Sequence, residues 1–249
     1  MTKFKTLALL FAVALASVGC SDEGLESGRG RLSIALSTED SAIEVARASL
    51  GLSKPVAADF TLTISDATNE VIGEWTSLTD YDENTLYDVG NYTAKVKYGS
   101  TLDEAFETPC FEGSSVYAIE DEQTTFVKVV AFVANAVVQI RCTDAFSNYF
   151  TDYSFTLTSA AGTTIPFAAG ETRRAFIDPN NFSVKGSAKT QTGSTINFEK
   201  NFSNIAATTL YTVKFDVNSG NVGSATVTVS FNDEIVDEIP VDIELNDEI

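Results

Sequence analysis

The sequence beyond its first 30 residues is dominated by short segments in which apolar and polar residues alternate. Residues 31–37 show this pattern, and so do 59–65, which turn-forming residues 66–69 separate from a partner at 71–75. Because successive side chains of a strand point to opposite faces, alternation at period two predicts half-buried β-strands. Further strands are predicted within 86–98 and 124–140, the latter breaking near Asn135, and near 137–142, 153–158, 176–185, 196–202, 210–217, 225–231 and 240–245.

No stretch after residue 30 sustains the 3.6-residue periodicity of an amphipathic helix. Residues 41–52 fit either a short helix or a loop. The strands are short, rich in β-branched residues and separated by Gly and Asn turns, a pattern typical of β-sandwiches. We therefore predict an all-β protein built from Ig-like or transthyretin-like sandwiches.

Three segments recur along the chain in the same order. Residues 60–65 resemble 155–160, residues 90–93 resemble 180–183, and residues 124–127 resemble 208–211, at offsets of 95, 90 and 84. Three ordered matches indicate two copies of one unit of about 90 residues with some drift in loop length. One large domain is the alternative. We predict a first sandwich at 31–134 and a second at 135–249.

The N-terminus has the features of a bacterial secretion signal. Lys3 and Lys5 give a positive start, 7–16 is an unbroken apolar run, and small residues lead up to Cys20. The run has about half of the ~20 apolar residues that a membrane-spanning helix needs. A cysteine at this place is typical of lipoproteins, so we expect residues 1–19 to be removed and Cys20 to be acylated. Because Ser17 stands where such signals usually carry Leu, ordinary secretion with an incidental Cys20 is the alternative.

Residues 20–30 are rich in Gly, Ser and acidic residues and predict a flexible tether. Ser21, Asp22 and Glu23 resemble the acidic tag that sends lipoproteins of Bacteroidota-type bacteria to the outer face of the outer membrane. Two or three acyl chains on Cys20 exceed the two-signal requirement for stable anchoring. We therefore expect a lipid-anchored, surface-exposed protein of the cell outer membrane.

The net charge and the absence of histidine argue against several classes of function. The chain has a net charge of −19 and no histidine. An acidic surface repels phosphate, which argues against a nucleic-acid partner. The absence of histidine removes the commonest general base and transition-metal ligand, so we predict neither enzymatic activity nor a cofactor. An enzyme using paired carboxylates, as glycosidases do, is the weakest of the alternatives, because no pair stands out.

Other candidate sites each have a structural alternative. An oxidising compartment would allow Cys110 and Cys142 to form a disulfide, but the two lie in unrelated parts of the pattern, so free thiols are the alternative. Residues 80–91 begin like a calcium loop, yet Thr85 and Asn91 replace the required Gly and Glu, which favours a solvated acidic loop. The aromatic residues of the first unit could form a glycan platform, although core filling is the expected role; they are Trp75, Tyr81, Tyr87, Tyr92 and Tyr98.

Several segments together resemble a known family. They are CSDEG at 20–24, GRLSIALS at 30–37, ADFTLTISDA at 58–67 with Trp75 after it, YDVGNYTA at 87–94, and ATVTVSFNDE with VDIELND near the C-terminus. This combination is similar to a Bacteroidota lipoprotein family of unknown function, which in layout resembles fimbrillin-type pilus and anchor proteins. The resemblance implies a location and a tandem sandwich fold, but no activity.

Two classes of function follow. A structural or adhesive lipoprotein, as anchor or accessory subunit of a fimbria-like assembly, is favoured. A glycan-binding lipoprotein of a nutrient-uptake system is the alternative. The one-sided strand at 240–245 could close its own domain or pair with a neighbouring subunit by strand exchange. We predict closure, and hence a monomeric soluble fragment.

Overall fold

Strands follow one another along almost the whole of the described chain. The computed structural model describes residues 28–37, 55–217, 225–231 and 234–241, the last two ranges as backbone only. The strands before residue 135 are β1 Arg29–Ser37, β2 Thr61–Asp66, β3 Val71–Trp75, β4 Leu86–Asp88, β5 Gly90–Tyr98, β6 Ala105–Phe106, β7 Phe111–Ile119, β8 Thr124–Val130 and β9 Phe132–Val133.

The later elements are again mostly strands. They are β10 Ala136–Cys142, helix α1 Asp144–Tyr149, β11 Phe150–Ser159, β12 Thr164–Ala168, β13 Ala175–Ile177, β14 Phe182–Thr190, β15 Thr195–Phe202, β16 Thr209–Val217, β17 Ala225–Phe231 and β18 Glu234–Val241. Two 3-10 turns lie at Ala57–Asp59 and Leu78–Asp80. Predominantly alternating burial along the strands confirms that period two marks strands with one buried face.

Two sheets form a first sandwich. One has the order β4-β1-β8 and the other β3-β2-β5-β7-β9. Strand β1 is central in its sheet, antiparallel to β4 and parallel to β8. Leu62, Ile64, Ala94 and Val96 from the second sheet are fully buried and share a core with Leu32 from β1.

A second sandwich repeats this strand order. Its sheets are β12-β11-β14-β15 and β13-β10-β16, in which β10 is antiparallel to β13 and parallel to β16. The hairpin β17–β18 extends the second of these sheets beyond β16, and β6 extends it beyond β13. The prediction of an all-β chain with tandem β-sandwiches is confirmed. The boundary itself, between 134 and 135, stays a prediction.

Some predicted strands have different bounds in the structure. The single segment within 86–98 is two strands, β4 and β5, which belong to different sheets. Likewise 176–185 divides into β13 and β14. In both cases two strands separated by a short connection belong to different sheets, and a crossing between sheets leaves no periodic mark in the sequence. Strands β6, β7 and β12 and helix α1 were not predicted.

The C-terminal strand pairs within its own chain. Strand β18 is antiparallel to β17, which is antiparallel to β16, and Pro240 and Val241 pair with Thr226 and Ala225. The observed strand ends at Val241, whereas the predicted one ran from 240 to 245. Residues 242–245, like 41–52, lie outside the described residues.

A row of aromatic rings fills the second core. Phe155 on β11 is opposite Phe167 on β12 and opposite Gly186 on β14, which in turn is opposite Phe198 on β15. A Cβ at Gly186 would stand 2.0 Å from Cζ of Phe198, so only glycine lets this ring lie flat across the strand. Phe215 from the facing sheet stacks on Phe155 with ring centroids 4.3 Å apart.

Candidate functional site

The aromatic residues of the first unit belong to its core. Tyr87 and Tyr92 are buried, and Trp75, Tyr81 and Tyr98 pack against the same cluster. Trp75 and Tyr81 meet edge to face at 5.1 Å. The core-filling interpretation is therefore confirmed over the glycan platform.

The acidic segment after residue 80 is a solvated loop, as predicted. Asp80, Asp82 and Glu83 are exposed. Asp82 accepts hydrogen bonds from the backbone N–H and the side-chain amide of Asn84, at 2.9 and 3.0 Å. Such local bonds make an Asx turn.

Cys110 and Cys142, for which the sequence left both a disulfide and free thiols open, are free thiols in the structure. The N–H of Cys110 donates to Oδ1 of Asn135, immediately before β10, whereas Cys142 is the last residue of that strand. A strand rises ~3.3 Å per residue, so the two cysteines are separated by roughly 20 Å, against a limit of about 7 Å between the Cα atoms of a disulfide. Burial raises the pKa of the Cys142 thiol to about 12, which keeps it neutral and a poor nucleophile.

A cleft of about 350 Å³ opens at the edge of the second sandwich. It lies where β10 loses a neighbour, because β13 pairs only with Ala136–Val138 and the described structure gives 139–142 no strand on that side. Rings of Tyr153, Phe155 and Phe167 contribute to the lining. Gln139, Arg141, Ser147, Glu171 and Thr172 are among its polar members.

One wall of the cleft is held by an ion pair within a single loop. The Glu171 carboxylate accepts from Nε and Nη2 of Arg173 at 3.0 and 2.7 Å, and from the backbone N–H of Thr172 and Arg173. The Arg173 side-chain hydrogen bond is the main reason that the pKa of Glu171 falls to about 2. Glu171 is thus ionised and already paired.

Arg141, another residue of the cleft, is not part of such an ion pair. It is exposed at the cleft, and its Nη2 lies 3.4 Å from Oε1 of Gln139. Gln139 is buried and donates in turn to the hydroxyl of Thr212 on β16. Among the residues that the structure describes, Arg141 has no carboxylate within 4.0 Å. Its charge contributes, after burial, to lowering the pKa of Arg174.

A second candidate site is the junction between the sandwiches. Residues 104–107, here called the clasp, belong to the connection between β5 and β7 but lie on the second sandwich. Its strand β6 pairs antiparallel with β13 at Phe176 and Ala175. The N–H of Glu107 donates to the carbonyl of Arg174 at 3.0 Å. One sandwich therefore supplies an edge strand to a sheet of the other.

The side chains of the clasp are as firmly held as its backbone. Glu104 is 8% exposed, and its carboxylate accepts from the hydroxyl of Ser159 and, at 3.0 Å, from the N–H of Asp178. The ring of Phe106 meets Phe167 edge to face at 4.9 Å, and the Arg173 guanidinium lies 4.4 Å from its centroid. Phe106 thus extends the aromatic row of the second core.

The predicted boundary residue also joins the sandwiches. Asn135 is fully buried, accepts from Cys110 through its side chain, and accepts from the N–H of Thr208 through its carbonyl at 2.9 Å. Val137 and Phe176, from strands of the second sandwich, pack in the core cluster of the first. The junction is therefore a packed and hydrogen-bonded interface.

The sequence pattern did not reveal the clasp or the cleft as sites, although it marked Asn135 as a boundary. The clasp contains a two-residue strand, β6, whose partner is some 70 positions away, and no local pattern marks such a pairing. Gln139 and Arg141 did carry a signal, because they interrupt an otherwise apolar strand. Cys20 lies outside the described residues, so its acylation stays a prediction.

No helix in the described part of the chain is long and apolar enough to cross a membrane. Within the same residues no group of three or more His, Cys, Asp or Glu side chains could hold a metal ion.

Comparison with known families assigns the chain to a family of unknown function. Residues 28–247 match the family described as Domain of unknown function (DUF4493), and the chain belongs to that family. The predicted membership of a family of unknown function is confirmed. No curated protein matches the sequence.

Two solved structures of similar fold are fimbrial proteins from bacteria. A fimbrial assembly protein from Parabacteroides distasonis ATCC 8503 is 11% identical, with a TM-score of 0.48 over 82% of this chain and 98% of that one. The fimbrial anchor protein Mfa2 from Porphyromonas gingivalis is 12% identical, with a TM-score of 0.45 over 84% of this chain and 99% of that one.

Proposed function

We propose that the protein is a surface-exposed outer-membrane lipoprotein with a structural or adhesive role, as an anchor or accessory subunit of a fimbria-like assembly. The observation that carries the proposal is the junction, which packs the two sandwiches into one unit directly after the predicted tether. The proposal assigns no catalytic step and no nucleic acid to the chain. The protein contacts the membrane through the lipid on Cys20.

The position of β1 suits a protein held at its N-terminus. The predicted tether at 20–30 overlaps the start of β1, which begins at Arg29, and β1 is bonded to β4 on one side and to β8 on the other. Tension applied through Cys20 would thus act on a central strand whose hydrogen bonds on both sides share the load. The clasp and Asn135 then pass that load to the second sandwich.

Changing Cys20→Ala is expected to release the protein from the membrane fraction, because the acyl chains are the proposed anchor. Fractionation followed by a carbonate wash, with immunodetection, measures this. The matched control is Cys142→Ala, since Cys142 lies in the fold and has no part in anchoring. Persistence of the Cys20→Ala protein in the washed outer membrane would contradict the proposal.

The chain from Ser21 to Ile249 is expected to be a monomer, because β17–β18 extends its own sheet and the negative net charge, −21 once Lys3 and Lys5 are removed from the full chain's −19, opposes self-association. Multi-angle light scattering over a range of concentrations tests this. Oligomers that disappear when 240–249 is deleted, with the melting temperature of the monomer unchanged, would favour strand exchange instead.

Glycan binding is the second candidate function, and the cleft beside Arg141 is the observation that favours it. Pockets that combine a few directed polar groups with aromatic walls are typical small-molecule sites. A glycan array probed with the Ser21–Ile249 chain separates this function from a purely structural role.

A further inference from the structure

We propose that the cleft beside Arg141 binds a single sugar unit that carries a carboxylate, a uronic-acid type of ligand. This inference goes beyond the anchoring role and does not depend on it. It rests on three observations. No described carboxylate lies within ion-pair distance of Arg141, the walls of the cleft carry hydroxyl groups and an aromatic ring, and the cleft has room for a short saccharide.

The charge of Arg141 is available to a ligand. Acidic residues outnumber basic ones 35 to 16 in this chain, yet no described carboxylate lies within ion-pair distance of Arg141. The nearby acidic wall residue, Glu171, is already neutralised by Arg173 at 2.7 Å. A guanidinium binds a carboxylate through two parallel N–H donors. A planar carboxylate is therefore the ligand group that pairs best with Arg141.

The other walls match the remainder of a sugar ring. The hydroxyls of Ser147 and Tyr153 lie 3.0 Å apart on one side, and Thr172 lies among the lining residues of the same cleft. These groups both donate and accept, as sugar hydroxyls do. The half-buried ring of Tyr153 offers apolar surface for the C–H face of the sugar ring. A simple aliphatic carboxylate would leave this polar side without partners.

The size of the cleft limits the ligand to a short saccharide. Its volume of about 350 Å³ is at the lower end of small-molecule sites, which begin near ~300 Å³. It is open at the edge of the sandwich where, among the described residues, 139–142 of β10 have no strand neighbour on the side opposite β16. A terminal sugar of a longer chain could therefore enter while the rest stays in solvent.

Saturation-transfer difference NMR and titration calorimetry with the Ser21–Ile249 chain test the proposal, since that chain holds every described residue. The probes are methyl β-D-glucuronide, the neutral methyl β-D-glucoside and acetate. The glucuronide is expected to bind most tightly. Arg141→Gln is expected to weaken glucuronide binding about ten- to hundredfold, as for a lost charged hydrogen-bond pair, and to leave the glucoside unchanged.

Lys214→Gln is the matched control, because Lys214 lies opposite Arg141 on β16 but outside the cleft lining. It should keep wild-type discrimination between the glucuronide and the glucoside. Ser147→Phe, which fills the cleft from an exposed helix position, should abolish binding of both sugars. Equal binding of glucuronide and acetate, unchanged affinity in Arg141→Gln, or no binding of the glucuronide would each overturn the proposal.

Discussion

Replacing Phe155 by alanine is expected to lower the free energy of unfolding by about 3–5 kcal/mol, the usual cost of truncating a buried phenylalanine. Phe155 is 3% exposed and stacks on Phe215 at 4.3 Å. It also covers Gly186, which has no side chain of its own to fill the space. The substitution would therefore leave a cavity lined by two strands and the facing sheet.

Phe126→Ala is the matched control, because Phe126 lies on β8 with 81% of its surface exposed. Its substitution should change the stability by less than about 0.5 kcal/mol. Urea unfolding of both variants, compared at equal m-values, measures the difference. Equal losses in the two variants would show that the aromatic row does not hold the second core.

Replacing Glu104 by alanine is expected to cost about 2–3 kcal/mol, because the Ser159 hydroxyl and the Asp178 N–H would each lose a charged acceptor inside the protein. A larger effect is expected on cooperativity. Glu104 is buried where the clasp meets the second sandwich. Its loss should free β6 from β13 and let the two sandwiches unfold in separate transitions.

Scanning calorimetry tests this by the number of transitions, and hydrogen exchange tests it at Phe106 and Glu107 in the clasp. Asp103→Ala is the control, since this neighbouring carboxylate is exposed and should leave a single transition. Glu104→Gln retains one acceptor oxygen and should fall between the two. A single transition in Glu104→Ala with unchanged exchange in the clasp would mean that the junction depends on other contacts.

Local patterns predicted most strands because burial of one sheet face leaves a direct mark on the sequence. The alternation of Leu62 and Ile64 with polar neighbours marks β2, and both side chains are fully buried. The three recurring segments lie on β2 and β11, β5 and β14, and β8 and β16, which hold equivalent places in the two strand orders. In these strands the pattern and the packing agree, since the same residues create both.

Strand β7 shows where such reasoning fails. Of its nine residues only Phe111, Tyr117 and Ile119 are buried, and Gly113 packs where a Cβ would stand 2.1 Å from the carbonyl oxygen of Val130. The segment therefore lacks the regular apolar positions that mark a strand. Its place is determined by pairing with β5, a contact between distant parts of the chain.

The sequence by itself determined the all-β class, the repeated strand order and the use of the tyrosines and Trp75 as core residues, because each depends on which side chains must leave water. Tertiary structure alone decided the junction and the cleft. Glu104 meets Ser159 and Asp178 only after the two sandwiches have packed together, and Arg141 and Glu171 line one cleft only after the second sandwich has folded. Such contacts join residues far apart in the chain, where spacing carries no periodic signal, and the same packing separates Cys110 from Cys142.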